Sequence, residues 1–103
     1  MSITTDIKGN SGRVLLSDLF DFRIREEFKA AYTPFLGNPI LQEIVVDLKH
    51  VDYIDSTALG MLLILKDAAA TSGKKISVFN ATKAPLHVLK SAKFDQLLSI
   101  GND

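Results

Sequence analysis

Residues 45 to 63 read Val45-Val46-Asp47-Leu48-Lys49-His50-Val51-Asp52-Tyr53-Ile54-Asp55-Ser56-Thr57-Ala58-Leu59-Gly60-Met61-Leu62-Leu63. Side-chain chemistry changes twice along this stretch. Glu43 to Lys49, with Ile44-Val45-Val46 unbroken by polar residues, predicts a strand buried on both faces and central in a parallel or mixed sheet. His50 to Asp55 predicts a turn. Thr57 to Thr71 then carries Ala58, Leu59, Met61, Leu62, Leu63, Ile64, Leu65, Ala68, Ala69 and Ala70, with almost no polar face in its first two turns. A helix apolar all round is either buried or covered by a partner. In open α/β sheets functional sites gather where strand C-termini meet helix N-termini. Ser56 stands at that junction.

Working outward, Gly73 predicts the C-cap of this helix, and Lys74-Lys75 lead into a short strand, Ile76 to Phe79. Strand, helix and strand with short connections make a right-handed crossover. Lys83 to Lys93, with Leu86, Val88, Leu89 and Ala92, predicts an amphipathic helix, and Leu97 to Ile100 a last short strand. On the N-terminal side, Phe22, Ile24, Phe28, Ala31 and Tyr32 recur at helical spacing among charged residues. This predicts a surface helix from Phe22 to Tyr32, capped by Asp21 and stopped by Pro34 and Gly37-Asn38-Pro39. Ser2 to Lys8 and Arg13 to Ser17 flank the turn formers Gly9-Asn10-Ser11-Gly12 and predict a β-hairpin. The order ββαβαβα, with a possible final strand, places the chain in the α/β class: one domain over residues 1–103, a mixed sheet of four to five strands with helices packed on it.

The 103-residue length suits one core. Twelve basic and twelve acidic residues cancel, so neither a nucleic acid nor a membrane surface is an expected partner. Residues 1–55 hold nine acidic and six basic side chains and residues 56–103 three and six, an asymmetry centred on Asp52, Asp55 and Ser56. The absence of cysteine rules out disulfides and thiolate chemistry. No signal-peptide pattern opens the sequence, and the longest apolar run, Ala58 to Leu65 broken only by Gly60, falls far short of the ~20 residues that span a bilayer. A cytoplasmic location is the expectation.

Position and charge leave two readings of the junction. In one, Ser56 or its neighbour Asp55 is a helix cap, its side-chain oxygen accepting an orphan backbone N–H for about 1 kcal/mol. In the other, Ser56 is a phosphoacceptor: helix amides and dipole favour the added group, while Asp52 and Asp55 oppose a charge of about −2. On position alone the cap is favoured. No cofactor or metal site is expected. His50 and His87 lie in different elements and form no i, i+4 pair, so exposed or capping roles are expected of them. There is no G-x-S-x-G elbow, G-x-G-x-x-G loop or Walker A motif, and catalysis is not expected. Lys74, Lys75, Lys83, Lys90 and Lys93 read as a solvated face, and Met61, Leu62 and Leu65 as a core stripe.

The hexapeptide Asp55-Ser56-Thr57-Ala58-Leu59-Gly60, set between that strand and that apolar helix, resembles the signature of the STAS family in its anti-sigma-factor-antagonist form. The element order and the Ser72-Gly73-Lys74-Lys75 turn extend the likeness over nearly the whole chain. The resemblance implies a non-catalytic partner switch in signal transduction and transcription regulation, acting as a monomer or weak homodimer. It implies that Ser56 is phosphorylated, with Thr57 the alternative, and that Asp21, Asp55, Thr57, Leu59 and Gly60 shape partner binding. The family's aspartate at the end of the second strand usually follows a glycine-containing turn. Ser17-Asp18-Leu19-Phe20-Asp21-Phe22 stands here instead, making Asp21 the best match with a shift of one residue left open. The implied partners are an anti-sigma factor or serine kinase of the histidine-kinase-like ATPase fold, released by phosphorylation, and a PP2C-type phosphatase, in some cases fused to a response-regulator receiver. The competing expectation is a constitutive STAS scaffold subunit of a transporter or signalling assembly, with Ser56 only a helix cap.

Overall fold

The computed structural model describes residues 3–103, and the chain runs β1 (Ile3–Lys8), β2 (Ser11–Phe20), a 3-10 turn (Phe22–Ile24), α1 (Arg25–Leu36), β3 (Glu43–Ile54), α2 (Ser56–Thr71), β4 (Lys75–Phe79), α3 (Lys83–Ser91), a second 3-10 turn (Phe94–Gln96) and β5 (Ser99–Gly101). The expected α/β order holds. Five strands form one mixed sheet in the order β1-β2-β3-β4-β5 with β3 at its centre. β1 pairs antiparallel with β2, and the other pairs are parallel. Parallel neighbours need long crossovers, and each crossover here contains one helix. Ser2 of the expected hairpin lies outside the described residues.

Lys8 pairs with Ser11, so the hairpin turn is Gly9 and Asn10 alone, with Gly9 at φ +60°. Ser11 and Gly12, expected in the turn, belong to β2. Gly12 is required there by packing, because a Cβ would lie 2.7 Å from ring atoms of Phe35 on α1. The core joins Val14, Leu16, Ile44, Val46, Leu48, Ile76 and Val78 of the sheet to Phe28, Tyr32 and Phe35 of α1, Leu62, Leu65 and Ala69 of α2, and Leu89 of α3. Phe20, Phe28 and Tyr32 pack in series, tilted and then edge to face, with centroids 5.1 and 5.2 Å apart.

Several expectations need correcting. Pro34 lies inside α1 instead of ending it. It sits in the exposed last turn, where the carbonyl it leaves without an N–H partner can face water. Helix α2 is not wholly buried: Leu63 and Ile64 are 38% and 62% exposed. Ala92 lies just beyond α3 and is exposed.

The largest correction concerns His50 to Asp55, where strand replaces the expected turn as far as Ile54. Leu15 lies opposite Asp47 but Ser17 opposite His50, and Asp18 opposite Val51 but Leu19 opposite Tyr53. Each shift inserts one extra residue into β3. Buried apolar residues consequently fall at Ile44, Val46 and Leu48 and then at Val51 and Ile54. A spacing of two becomes three at each bulge, so the alternation that marks a strand vanishes while the pairing continues. The two insertions together restore the facing of the side chains, and Phe20 pairs with Ile54 at the end of both strands. Asp21 and Asp55 therefore leave neighbouring strand ends side by side.

From Ile44 to Leu48 β3 is buried on both faces, as expected: on the side away from the core cluster Val45 is 2% and Asp47 0% exposed. Arg13 pairs with Asp47 at 2.5 Å and also with Asp103, while Asn80 Nδ2 donates to both carboxylates, at 3.2 and 2.9 Å. At the opposite end of the sheet from Asp55, the buried Lys74 ammonium donates to the Asn38 and Leu41 carbonyls, each at 2.6 Å. This fixes the turn after α2 against the loop before β3. Among the described residues no helix is long and apolar enough to cross a membrane.

Candidate functional site

Asp55 has extended backbone geometry and caps α2: its Oδ1 accepts from Thr57 N at 3.0 Å, Ala58 N at 3.2 Å and the Thr57 hydroxyl at 2.6 Å. The choice left open between Ser56 and Asp55 as cap is thus decided for Asp55. Ser56 is the first helical residue and is exposed. Its hydroxyl makes no hydrogen bond among the described residues, whereas that of Thr57 is held by the cap. Helix α2 starts where it does because Asp55 satisfies two of the amide donors that a helix N-terminus leaves unpaired.

Asp21 performs the same local task at the end of β2. It caps the 3-10 turn, with Oδ1 accepting from Arg23 N at 2.9 Å, and does not directly cap α1 as expected. The reason is that the chain takes one tight 3-10 turn before it relaxes into α-helix at Arg25. Arg23 then folds back, its Nε 3.2 and 3.0 Å from the two carboxylate oxygens of Asp21 and its Nη2 2.6 Å from Oδ2. These side-chain bonds, aided by the Arg23 backbone N–H, hold the Asp21 carboxyl below the usual carboxylate range against a small opposing effect of burial. The guanidinium is stabilised in turn by the Asp21 hydrogen bonds and, more weakly, by the charge of Asp55.

The structure therefore brings Asp21, Asp55, Ser56 and Thr57 together at the C-terminal ends of β2 and β3. Asp52 is exposed on the β3 bulge just before it. Leu59 packs partly against the core, and Gly60 has open space where a Cβ would stand. Asp18, Leu19, Asp21, Arg23, Ile24 and Glu27 line an open groove of about 340 Å³ beside these strand ends. The two histidines are elsewhere: His50 is exposed on β3, and His87 is exposed on α3 with Nε2 3.4 Å from the Ser91 hydroxyl. Sequence reasoning missed Arg23. The available signal was an arginine two residues after a capping aspartate, close enough for its side chain to return to the carboxylate.

The family described as "Mlab, STAS domain" matches residues 3–99. The chain belongs to the STAS domain family. A STAS-domain containing protein of Pseudomonas aeruginosa (strain UCBPP-PA14) is 35% identical over 92 residues, 89% of each chain. Among solved structures, a Thermotoga maritima protein assigned as an anti-sigma factor antagonist superposes on this STAS domain with a TM-score of 0.85 at 18% identity, over 98% of this chain and 86% of that one. The Bacillus cell fate determinant SpoIIAA in its phosphorylated form gives a TM-score of 0.72 at 11% identity, over 96% and 90%. The STAS domain thus shares its fold with anti-sigma factor antagonists.

Proposed function

We propose that residues 1–103 act as a single STAS domain in the cytoplasm, and that the domain is a phosphorylation-controlled partner switch that binds rather than catalyses. The observation that carries this reading is the exposed, unbonded Ser56 hydroxyl at the start of α2, beside Asp21 and Asp55. Thr57, the neighbouring hydroxyl, is less available because it donates to Asp55. The fold shared with SpoIIAA, whose structures include an unphosphorylated and a phosphorylated form, supports the same reading.

In the proposed cycle the unmodified domain binds an anti-sigma factor or serine kinase of the histidine-kinase-like ATPase fold, using Asp21, Asp55, Thr57, Leu59 and Gly60. The kinase transfers the γ-phosphoryl group of ATP. The Ser56 Oγ–P bond forms as the bond to the β-phosphate oxygen breaks, the hydroxyl proton passes to a kinase carboxylate, and ADP leaves. A phosphate of about −2 charge beside Asp55 then blocks the contact made by the Ser56 hydroxyl and repels acidic groups of the partner seated against it. Hydrolysis by a PP2C-type phosphatase returns the serine and inorganic phosphate. The test is to incubate the domain with its kinase and ATP and map the label by mass spectrometry. Label is expected on Ser56 and lost in Ser56→Ala; label that persists in the Ser56→Ala, Thr57→Ala double variant sinks the reading.

One observation favours a second reading. Leu63 and Ile64 present an exposed apolar stripe on α2, which suits a permanent partner and therefore a constitutive scaffold. The two readings part on Ser56→Asp, which weakens partner binding if the domain is a switch and leaves it unchanged if Ser56 is a bystander.

A further inference from the structure

The helix start that would receive a phosphate on Ser56 is already engaged: the Asp55 carboxylate occupies the Thr57 and Ala58 amides. A phosphoserine there needs another positive group. Arg23 is available, since its side chain is 70% exposed while its fork grips Asp21. Phe20 and Ile54 are paired on adjacent strands, so Asp21, which holds Arg23, and Asp55, which precedes Ser56, emerge from neighbouring strand ends. Strands spaced at about 4.8 Å leave this distance well within the reach of an arginine side chain. The 3-10 turn bearing Arg23 also lies alongside α2.

We propose that Arg23 is the positioning residue of the switch, exchanging its bidentate contact from the Asp21 carboxylate to the phosphate when Ser56 is phosphorylated. This rests on the reading of Ser56 as the phosphoacceptor and adds how the modification is transmitted. A guanidinium fork fits carboxylate and phosphate alike, and the phosphate dianion, with more charge and three acceptor oxygens, wins the competition. Exchange leaves Asp21 without its counter-charge in a groove that also holds Asp18 and Glu27. The surface beside α2 changes from a neutralised pair into a cluster of free carboxylates. The backbone N–H of Arg23 keeps its bond to Asp21, so the turn leading into α1 is held while its side-chain charge is redirected. The charge on one helix is thereby read out on the next.

The test uses the full chain with phosphoserine installed at position 56 during translation, which needs no kinase. Four proteins are compared: wild type and Arg23→Gln, each with serine or phosphoserine, with folding verified by backbone amide spectra. In phosphorus NMR titrations the second phosphate pKa is expected to be lower with Arg23 present than in Arg23→Gln, by about half a unit or more, since a paired cation favours the dianion. Arg23→Lys, which keeps the charge but not the fork, is expected to fall between. In carbon NMR, phosphorylation is expected to raise the Asp21 carboxyl pKa more in wild type than in Arg23→Gln, because only wild type has an arginine contact to lose. Phosphate titrations that coincide in wild type and Arg23→Gln overturn the proposal, as do equal Asp21 shifts in the two backgrounds. Such a result, alongside kinase labelling of Ser56, removes Arg23 alone; absence of labelling at Ser56 instead removes the switch and leaves the Arg23 measurement intact.

Discussion

Two arginine–aspartate pairs in this domain use the same groups in opposite settings. Arg13–Asp47 bridges β2 and β3 in mid-sheet, where the Asp47 side chain is wholly buried and that of Arg13 is 26% exposed. Arg23–Asp21 lies at the strand ends, with the guanidinium largely in solvent. Around Arg13, burial opposes the charge, and hydrogen bonds to Asp103 and Asp47 more than offset it. Asn80, Lys49 and Asp103 join the pair in one network. Around Arg23 only one carboxylate is gripped and the outer face is open. A pair whose carboxylate is wholly buried and held by several donors serves mainly the fold, whereas a pair with an open guanidinium and one carboxylate can trade partners at lower cost.

Breaking the enclosed pair is expected to have the largest effect. Arg13→Met removes the charge-assisted hydrogen bond from a buried carboxylate that the Lys49 backbone N–H and Asn80 still serve, and should destabilise the domain by roughly 2 kcal/mol, seen as a lower urea midpoint, with Ser56 labelling intact while the protein is folded. A loss below about 1 kcal/mol would place this pair with ordinary surface pairs. Asp55 comes next, because its carboxylate is both cap and charge. Asp55→Ala should cost about 1 kcal/mol in thermal unfolding, while Asp55→Asn keeps an acceptor for the helix amides and should cost only a few tenths. Equal costs would mean that charge, not capping, is what Asp55 contributes.

The open pair should appear mainly as a pH dependence. The folded-state pKa of Asp21 is depressed, so its contribution is present above the unfolded carboxylate pKa of about 4 and is lost as pH falls through the folded value. Urea midpoints of wild type and Asp21→Asn should differ at neutral pH and converge in acid; a constant difference would show that the carboxylate charge is irrelevant. The smallest expected effect separates the pairs by salt. Near 1 M salt the screening length is about 3 Å, so the stability difference between wild type and Arg23→Gln should shrink while that for Arg13→Met persists. Equal screening of both would erase the distinction between them.

Much of the architecture was legible because local patterns carry it. The β-branched run Ile44-Val45-Val46, the apolar helix after Asp55 and the turn at Gly73 each lie within a few residues of sequence, and each element formed. Misreadings came where distant segments decide. The bulges in β3 break alternation, so His50 to Ile54 lost its strand signature. Pro34 was read as a helix stop, yet the burial of Tyr32 and Phe35 in the core carries α1 past it. At the candidate site, the Asp55-Ser56 junction was visible as a capping pattern, but the role of Arg23 depends on its side chain folding back onto the end of β2.

Side-chain pattern alone was enough for the α/β class, the strand–helix junction and the presence of Ser56 at a helix start, since propensity, periodicity and capping act over one or two turns of chain. Tertiary structure decided that β2 and β3 end in register, so that Asp21 stands beside Asp55, and that Gly12 lies against the Phe35 ring. Those outcomes depend on how many residues each strand spends in bulges and on which side chains meet the sheet. Pairing and packing energy summed over the whole sheet sets both, and no local stretch records it.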